Sequence, residues 1–225
     1  MGVRGRKPAG PGSGEIAFAA VVSVLLGVFV GVAFLVLQPV LVVKELPPEK
    51  DRPRGAVYHV PGRLDSSRRA EAVRKRQLFM GGQSISLSEE ELNLLFAPAK
   101  PSAAGKKDAV PEVLVAGVFA VGEPNVRLAD GIIQLAAPVR LTMPDLGLRL
   151  TAQIRGRMAK KTEGWVFDPL EIYLGSCPVG ALPFVRGMVR SQLGTLDVIP
   201  EDLRANWRKL ADARVEGGLL RLRLP

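Results

Sequence analysis

The sequence predicts an α+β fold: one N-terminal transmembrane helix, then a long-stranded antiparallel sheet with helices packed on one face. Three observations predict it. An uncharged apolar run extends from Ile16 to Val43. Alternating and apolar stretches separated by turn signals fill residues 113–174. Two amphipathic segments with helix-entry signals follow them, ahead of a closing alternating strand.

The apolar run is interrupted only by Ser23, Gln38, Pro39 and a few glycines. About 20 apolar residues in a helix cross a bilayer core, so it is long enough with some tilt. A cleavable signal peptide has a shorter apolar core, about 7–15 residues, with a small-residue cleavage site behind it. Leu37-Gln38-Pro39-Val40-Leu41 offers no such site, so the expectation is an uncleaved anchor spanning 16–43. Arg4, Arg6 and Lys7 precede it in a short basic tail, 1–15, while Lys44, Lys50, Arg52 and Arg54 follow it. Long domains translocate largely regardless of charge, and export signals begin with a short basic tail. The N-terminus is therefore expected in the cytoplasm and the domain outside it, at the cell membrane.

Residues 44–64 carry Pro47, Pro48, Pro53 and Pro61 among mixed charges, which reads as an extended stalk. Residues 65–225 are expected to form one extracytoplasmic α+β domain, long enough for a core of its own. Asp65 to about Phe79 reads as a basic polar helix. In Ser84–Phe96, Ser88 and Glu91 have the spacing of a capping box, and Leu92, Leu95 and Phe96 share a helix face. Glu89, Glu90 and Glu91 then serve the helix start rather than acid–base chemistry. Residues 97–111, with three prolines and Lys106-Lys107, read as a mobile loop.

Val113–Val121 reads as one buried strand. Val126–Leu128 and Ile132–Met143 flank Asp130-Gly131, a hairpin signal. From Leu146 to Met158 apolar residues alternate with Arg149, Thr151, Gln153, Arg155 and Arg157, predicting one buried face and one wet, cationic face. Trp165–Leu174 returns as a strand whose Pro169 marks an edge or a bulge. Leu182–Leu193 and a segment opening at Pro200-Glu201-Asp202 read as helices. Leu220, Leu222 and Leu224 alternate with Arg221 and Arg223 in a final strand after Gly217-Gly218.

The net charge is +9, of which the N-terminal tail holds two (three bases, one acid). A basic domain suits anionic surfaces such as lipid headgroups or envelope polymers. One cysteine, Cys177, excludes an internal disulfide, and one histidine, His59, leaves no ordinary zinc ligand set. No cofactor or metal is expected. Nucleophilic catalysis most often needs a histidine base, and His59 falls in the expected stalk. Two facing carboxylates would serve a glycosidase; Asp145, Asp168 and Glu171 are candidates, but nothing in their spacing singles them out. Single-strand nucleic-acid platforms need interleaved aromatics, and aromatic residues make up only 5% of the chain, so no nucleic-acid partner is expected.

The order of these pieces resembles the YpmS-like family of single-pass bacterial envelope proteins and, more remotely, tubular lipid-binding (TULIP-like) domains. The resemblance is carried by the anchor, Leu87-Ser88-Glu89-Glu90-Glu91-Leu92-Asn93, the strand pair around Asp130-Gly131, Leu174-Gly175-Ser176-Cys177-Pro178-Val179-Gly180-Ala181-Leu182-Pro183, and Val215-Glu216-Gly217-Gly218. It implies a single-helix anchor, a location outside the cytoplasm and no enzymatic role; it carries over no functional residue. The functional expectation is a non-catalytic, membrane-anchored protein that binds a lipid or amphiphile, or a partner protein. The alternatives are an envelope hydrolase and a structural component of an envelope complex. An apolar groove is expected at Leu148, Leu150, Ile172, Val185 and Val189, and an anionic-surface contact at Arg149, Arg155 and Arg157.

Overall fold

A computed structural model describes residues 13–53, 55–96, 113–115, 119–141, 148–162, 164–182, 184–193, 195 and 199–225. The expected loop at 97–111 lies outside the described residues. The chain is α+β, with an N-terminal apolar helix and a curled antiparallel sheet.

Helix α1 runs Ser13–Leu37. Its segment Gly14–Leu37 is long and apolar enough to cross a membrane, and so is a signal sequence. Every side chain from Gly14 to Gly31 is exposed. The helix stops six residues before the apolar run does. Pro39 supplies no N–H and disfavours helical geometry in the residue before it. Leu41–Val42 (β1) instead pairs parallel with Tyr58–His59 (β2). The helix ends short of the boundary expected at 43, and part of the expected stalk, 44–64, is folded: Tyr58, His59 and Val60 are all buried. Gly62 is held there as well, its N–H donating to Asn125 Oδ1 at 2.5 Å. A Cβ at Gly62 would fall on the Val126 carbonyl, which is backbone and has no way to move aside. Gly62→Ala is therefore expected to cost about 3 kcal/mol, within the overpacking range. It should also open residues 44–62 to limited proteolysis.

Asp65 caps a 3-10 turn by accepting from the Ser67 N–H at 3.0 Å. Helix α2, Arg69–Met80, follows and buries Ala72 and Phe79. Ile85–Ser88 (β3) leads straight into α3, Glu89–Phe96. The large sheet runs Val113–Val115 (β4), Phe119–Val121 (β5), Ile132–Leu141 (β7), Arg149–Lys161 (β8) and Gly164–Leu174 (β9), with Asn125–Ala129 (β6) beside β7. The apolar run 113–121 is thus two strands paired on each other, Val113 with Val121 and Val115 with Phe119. Continuous apolarity alone does not separate one buried strand from a short hairpin. The Asp130-Gly131 turn has positive φ at both residues (52° and 76°), as a two-residue hairpin of this twist requires. Pro169 lies where β9 shifts register against Arg155 and Gly156 of β8, leaving Leu170 without a partner, and β9 is the sheet's edge.

After a 3-10 turn at Val179–Ala181, α4 spans Val185–Leu193 and α5 spans Glu201–Trp207. Asp212–Glu216 (β10) and Leu219–Arg223 (β11) then form a hairpin, with β11 pairing antiparallel to β3. A second, three-stranded sheet therefore joins the chain's C-terminus to the strand before α3. The core lies between the two sheets. Ile85 and Leu87 of β3, Leu220 and Leu222 of β11, and Val126, Leu128 and Ile133 of the large sheet are buried together with Phe79, Leu92 and Leu210.

Candidate functional site

The capping box forms as its spacing predicts: the Ser88 N–H donates to Glu91 Oε2 at 2.8 Å and the Glu91 N–H to Ser88 Oγ at 3.4 Å. Glu91, fully buried, also accepts from Lys75 Nζ with both oxygens, at 2.7 and 2.8 Å. Two further residues of α3 reach across to β6. Glu89 Oε2 accepts from the Leu128 N–H at 2.9 Å. Asn93 Oδ1 accepts from the Val126 N–H at 2.6 Å, while its Nδ2 donates to the Val126 and Arg63 carbonyls, both at 2.9 Å. Side chains four apart on a helix are neighbours, and alternate strand residues are about 6.6 Å apart. Glu89 and Asn93 therefore match the repeat of the free β6 edge. Glu89, Glu91 and Asn93 of the Leu87–Asn93 motif are thus engaged in holding α3 in place, while Glu90 lies 4.0 Å from Arg63.

What α3 holds in place is one wall of an apolar cavity of about 320 Å³ between the two sheets. Ile133 and Leu135 of β7, Met158 of β8, and Trp165 and Phe167 of β9 form its floor. Leu95 and Phe96 of α3 and Leu203 and Trp207 of α5 form its walls. Among the described residues Arg76 is the one charged side chain lining it, 2.6 Å from Asp202 at the α5 entry. Phe79 and Trp207 meet edge to face, ring centres 6.2 Å apart. Trp207 Nε1 donates to the Trp165 carbonyl at 2.6 Å, pinning α5 over the sheet. The Trp165 indole N–H, in the floor, is buried and has no partner among the described residues. An apolar lining with few polar groups at one end is what binding sites for apolar ligands present.

None of the five residues expected to line a groove lies in this cavity. Leu150 and Ile172 do share the sheet face of Leu135 and Met158, as the register Val139–Leu150 and Ile154–Ile172 shows. They occupy its other end, with half-buried Leu148 beside Leu150. Ile172 lies under the 3-10 turn, where a Cβ on Gly180 would be 3.2 Å from the Ile172 nitrogen. Val185 and Val189 are half-buried on α4.

The expected cationic face also differs. Gln153, placed on the wet side by alternation, is fully buried, with Oε1 accepting from Gln134 Nε2 at 3.0 Å. Arg155 pairs with Glu171 at 3.4 Å. Arg149 and Arg157 are exposed but eight residues apart, about 26 Å along a strand. The three arginines do not form one free patch. His59 is buried within electrostatic reach of Arg155 on this face and of Arg127 on β6. Burial, and after it the charges of Arg127 and Arg155, lower its pKa. An unfolded imidazole takes up its proton near pH 6.5, and the folded one only further down. The stability this confers is present above that pH and is lost as pH falls toward the folded pKa. Between about pH 7.5 and 5.5, urea midpoints should fall more steeply for the native chain than for His59→Gln.

The candidate catalytic groups are engaged elsewhere or buried. Asp168 pairs with Arg190 at 2.9 Å, and burial pushes the Cys177 thiol pKa up. Asp145 lies outside the described residues. No group of three metal-ligating side chains occurs among the described residues. Compared with known proteins, the chain matches no family model, no curated protein and no solved structure.

Proposed function

We propose that this chain is a single-pass membrane protein whose domain, outside the cytoplasm, binds the alkyl chain of a lipid or other amphiphile without catalysis. The observation that carries the reading is the cavity between the sheets, whose described lining is apolar except for Arg76 and Thr195. An apolar cavity of ~150 Å³ holds one benzene ring, or about 25 Å³ per carbon. On that scale the cavity holds about a dozen carbons, a medium-length chain. The headgroup would stay at the mouth, beside Arg76 and Asp202. Retention of α1 is supported by its docking on the domain. The Ser176 N–H donates to the Leu35 carbonyl at 3.1 Å, and Gly175, at φ 57°, lies so close to Val36 that a Cβ would clash with its carbonyl. A leader destined for removal has no need of such contacts.

Photocrosslinking tests the proposal on the full chain in its membrane. A fatty acid carrying a diazirine on its chain should leave adducts on Met158, Trp165 or Trp207, mapped by peptide mass spectrometry. Leu135→Phe narrows the cavity and should reduce those adducts. Adducts confined to α1 would exclude the cavity as the binding site.

A further inference from the structure

Helix α4 carries two large apolar side chains that the domain leaves uncovered. Phe184, just before its first turn, is 75% exposed and Met188, one turn on, is 56% exposed. The adjoining side is satisfied, with Val185 and Val189 half-buried and α4 packed on β9 and on the Val179–Ala181 turn. Arg186 and Arg190 fall across the helix from the exposed pair, and Arg190 is paired with Asp168 at 2.9 Å. Single exposed apolar residues are common on protein surfaces, but two large ones a turn apart on one helix face form an apolar patch.

The anchor fixes what lies against that face. Gly14–Leu37 is 24 residues long, about 36 Å at the helical rise, against a hydrocarbon core of about 30 Å. The last turn or so therefore emerges at headgroup level. That turn is bonded to the domain: Leu35 to Ser176, and Val36 against Gly175. The turn at Gly175–Ser176 thus lies at the membrane boundary, and α4 starts within ten residues of it, packed on the strand that ends there. Leu41 and Val42, immediately past α1, are also exposed apolar residues.

We infer that the Phe184–Met188 face of α4 rests in the bilayer interface, so that the domain lies on the membrane rather than standing off it. Binding needs little intrinsic affinity, because α1 supplies a high local concentration of bilayer. Leu193, at the end of the same helix, lines the cavity, so α4 links the membrane surface to the cavity wall.

The inference rests on α1 spanning the membrane, and the test separates the two. The full chain, with Cys177→Ala, is reconstituted in nanodiscs of zwitterionic and anionic phospholipid. Spin labels are attached at Met188→Cys, at Val28→Cys within α1 and at Lys160→Cys. Lys160 is exposed at the far end of β9 from Gly175, about 30 Å away. Labels at 28 and 188 should collide more with oxygen than with a water-soluble nickel chelate, and the label at 160 the reverse. If 188 behaves like 160 while 28 is lipid-buried, the inference is wrong and the anchor stands. If 28 is also aqueous, the spanning reading falls and the inference with it. A label at 188 shielded from both reagents places a protein surface there, a second copy of this chain, and equally overturns it.

Discussion

Replacing Lys75 with methionine is expected to destabilise the domain by about 3–5 kcal/mol, the largest effect of any single surface-proximal change in the chain. Glu91 is fully buried, and two of its three hydrogen bonds come from Lys75 Nζ. Methionine fills similar volume but leaves the carboxylate uncompensated where water does not reach. At about 2–4 °C per kcal/mol for a domain of this size, the midpoint should drop by roughly 10 °C or more. The partner change is informative. Glu91→Gln still accepts from the Ser88 N–H and from Lys75, and Lys75 is itself partly exposed. Its cost should be distinctly smaller, and the double variant Lys75→Met, Glu91→Gln should recover much of the loss. Thermal melts of the four proteins in one lipid or detergent background decide it. A Lys75→Met midpoint equal to that of the native chain would show that the pair is not buried as described.

Asn93→Ala is expected to cost about 3 kcal/mol by a different route. The amide of Asn93 satisfies both the N–H and the carbonyl of Val126, which is 1% exposed. Alanine leaves both groups dry and unpaired, at about 1–3 kcal/mol each. Asn93→Asp should be nearly as harmful, because a carboxylate accepts from the N–H but faces two carbonyls it has no donor for. Because Asn93 ties α3 to β6, the loss should loosen the cavity wall formed by Leu95 and Phe96. Hydrogen exchange at the Val126 and Leu128 amides, measured alongside stability, would register this. Protection unchanged in Asn93→Ala would refute the edge-capping role.

What the sequence made legible was local chemistry. The capping box, the Asp130-Gly131 turn and the edge position of Pro169 each depend on a few adjacent residues, and each is found where expected. Elements that depend on distant partners were not legible. Ile85–Ser88 becomes a strand only because Leu219–Arg223, more than 130 residues on, lies beside it. Period-two alternation identifies which side of β8 is apolar but not which end of that side is covered. This is why the cavity lies at Leu135 and Met158 rather than at Leu150 and Ile172. The same blindness put Gln153 in water, although it is fully buried and bonded to Gln134. The end of α1 was legible in principle, since Pro39 interrupts the apolar run, although no charge appears after it until Lys44.

The chain has only two tryptophans, Trp165 and Trp207, and both line the cavity. Their fluorescence in nanodiscs of unbrominated lipid, titrated with a dodecanoic acid brominated along its chain, tests the central claim most directly. The cavity predicts quenching that saturates near one ligand per chain, is reversed by unbrominated dodecanoate and is weakened in Leu135→Phe, which narrows the cavity. Quenching that rises linearly without saturating, or that is unchanged in Leu135→Phe, would contradict it.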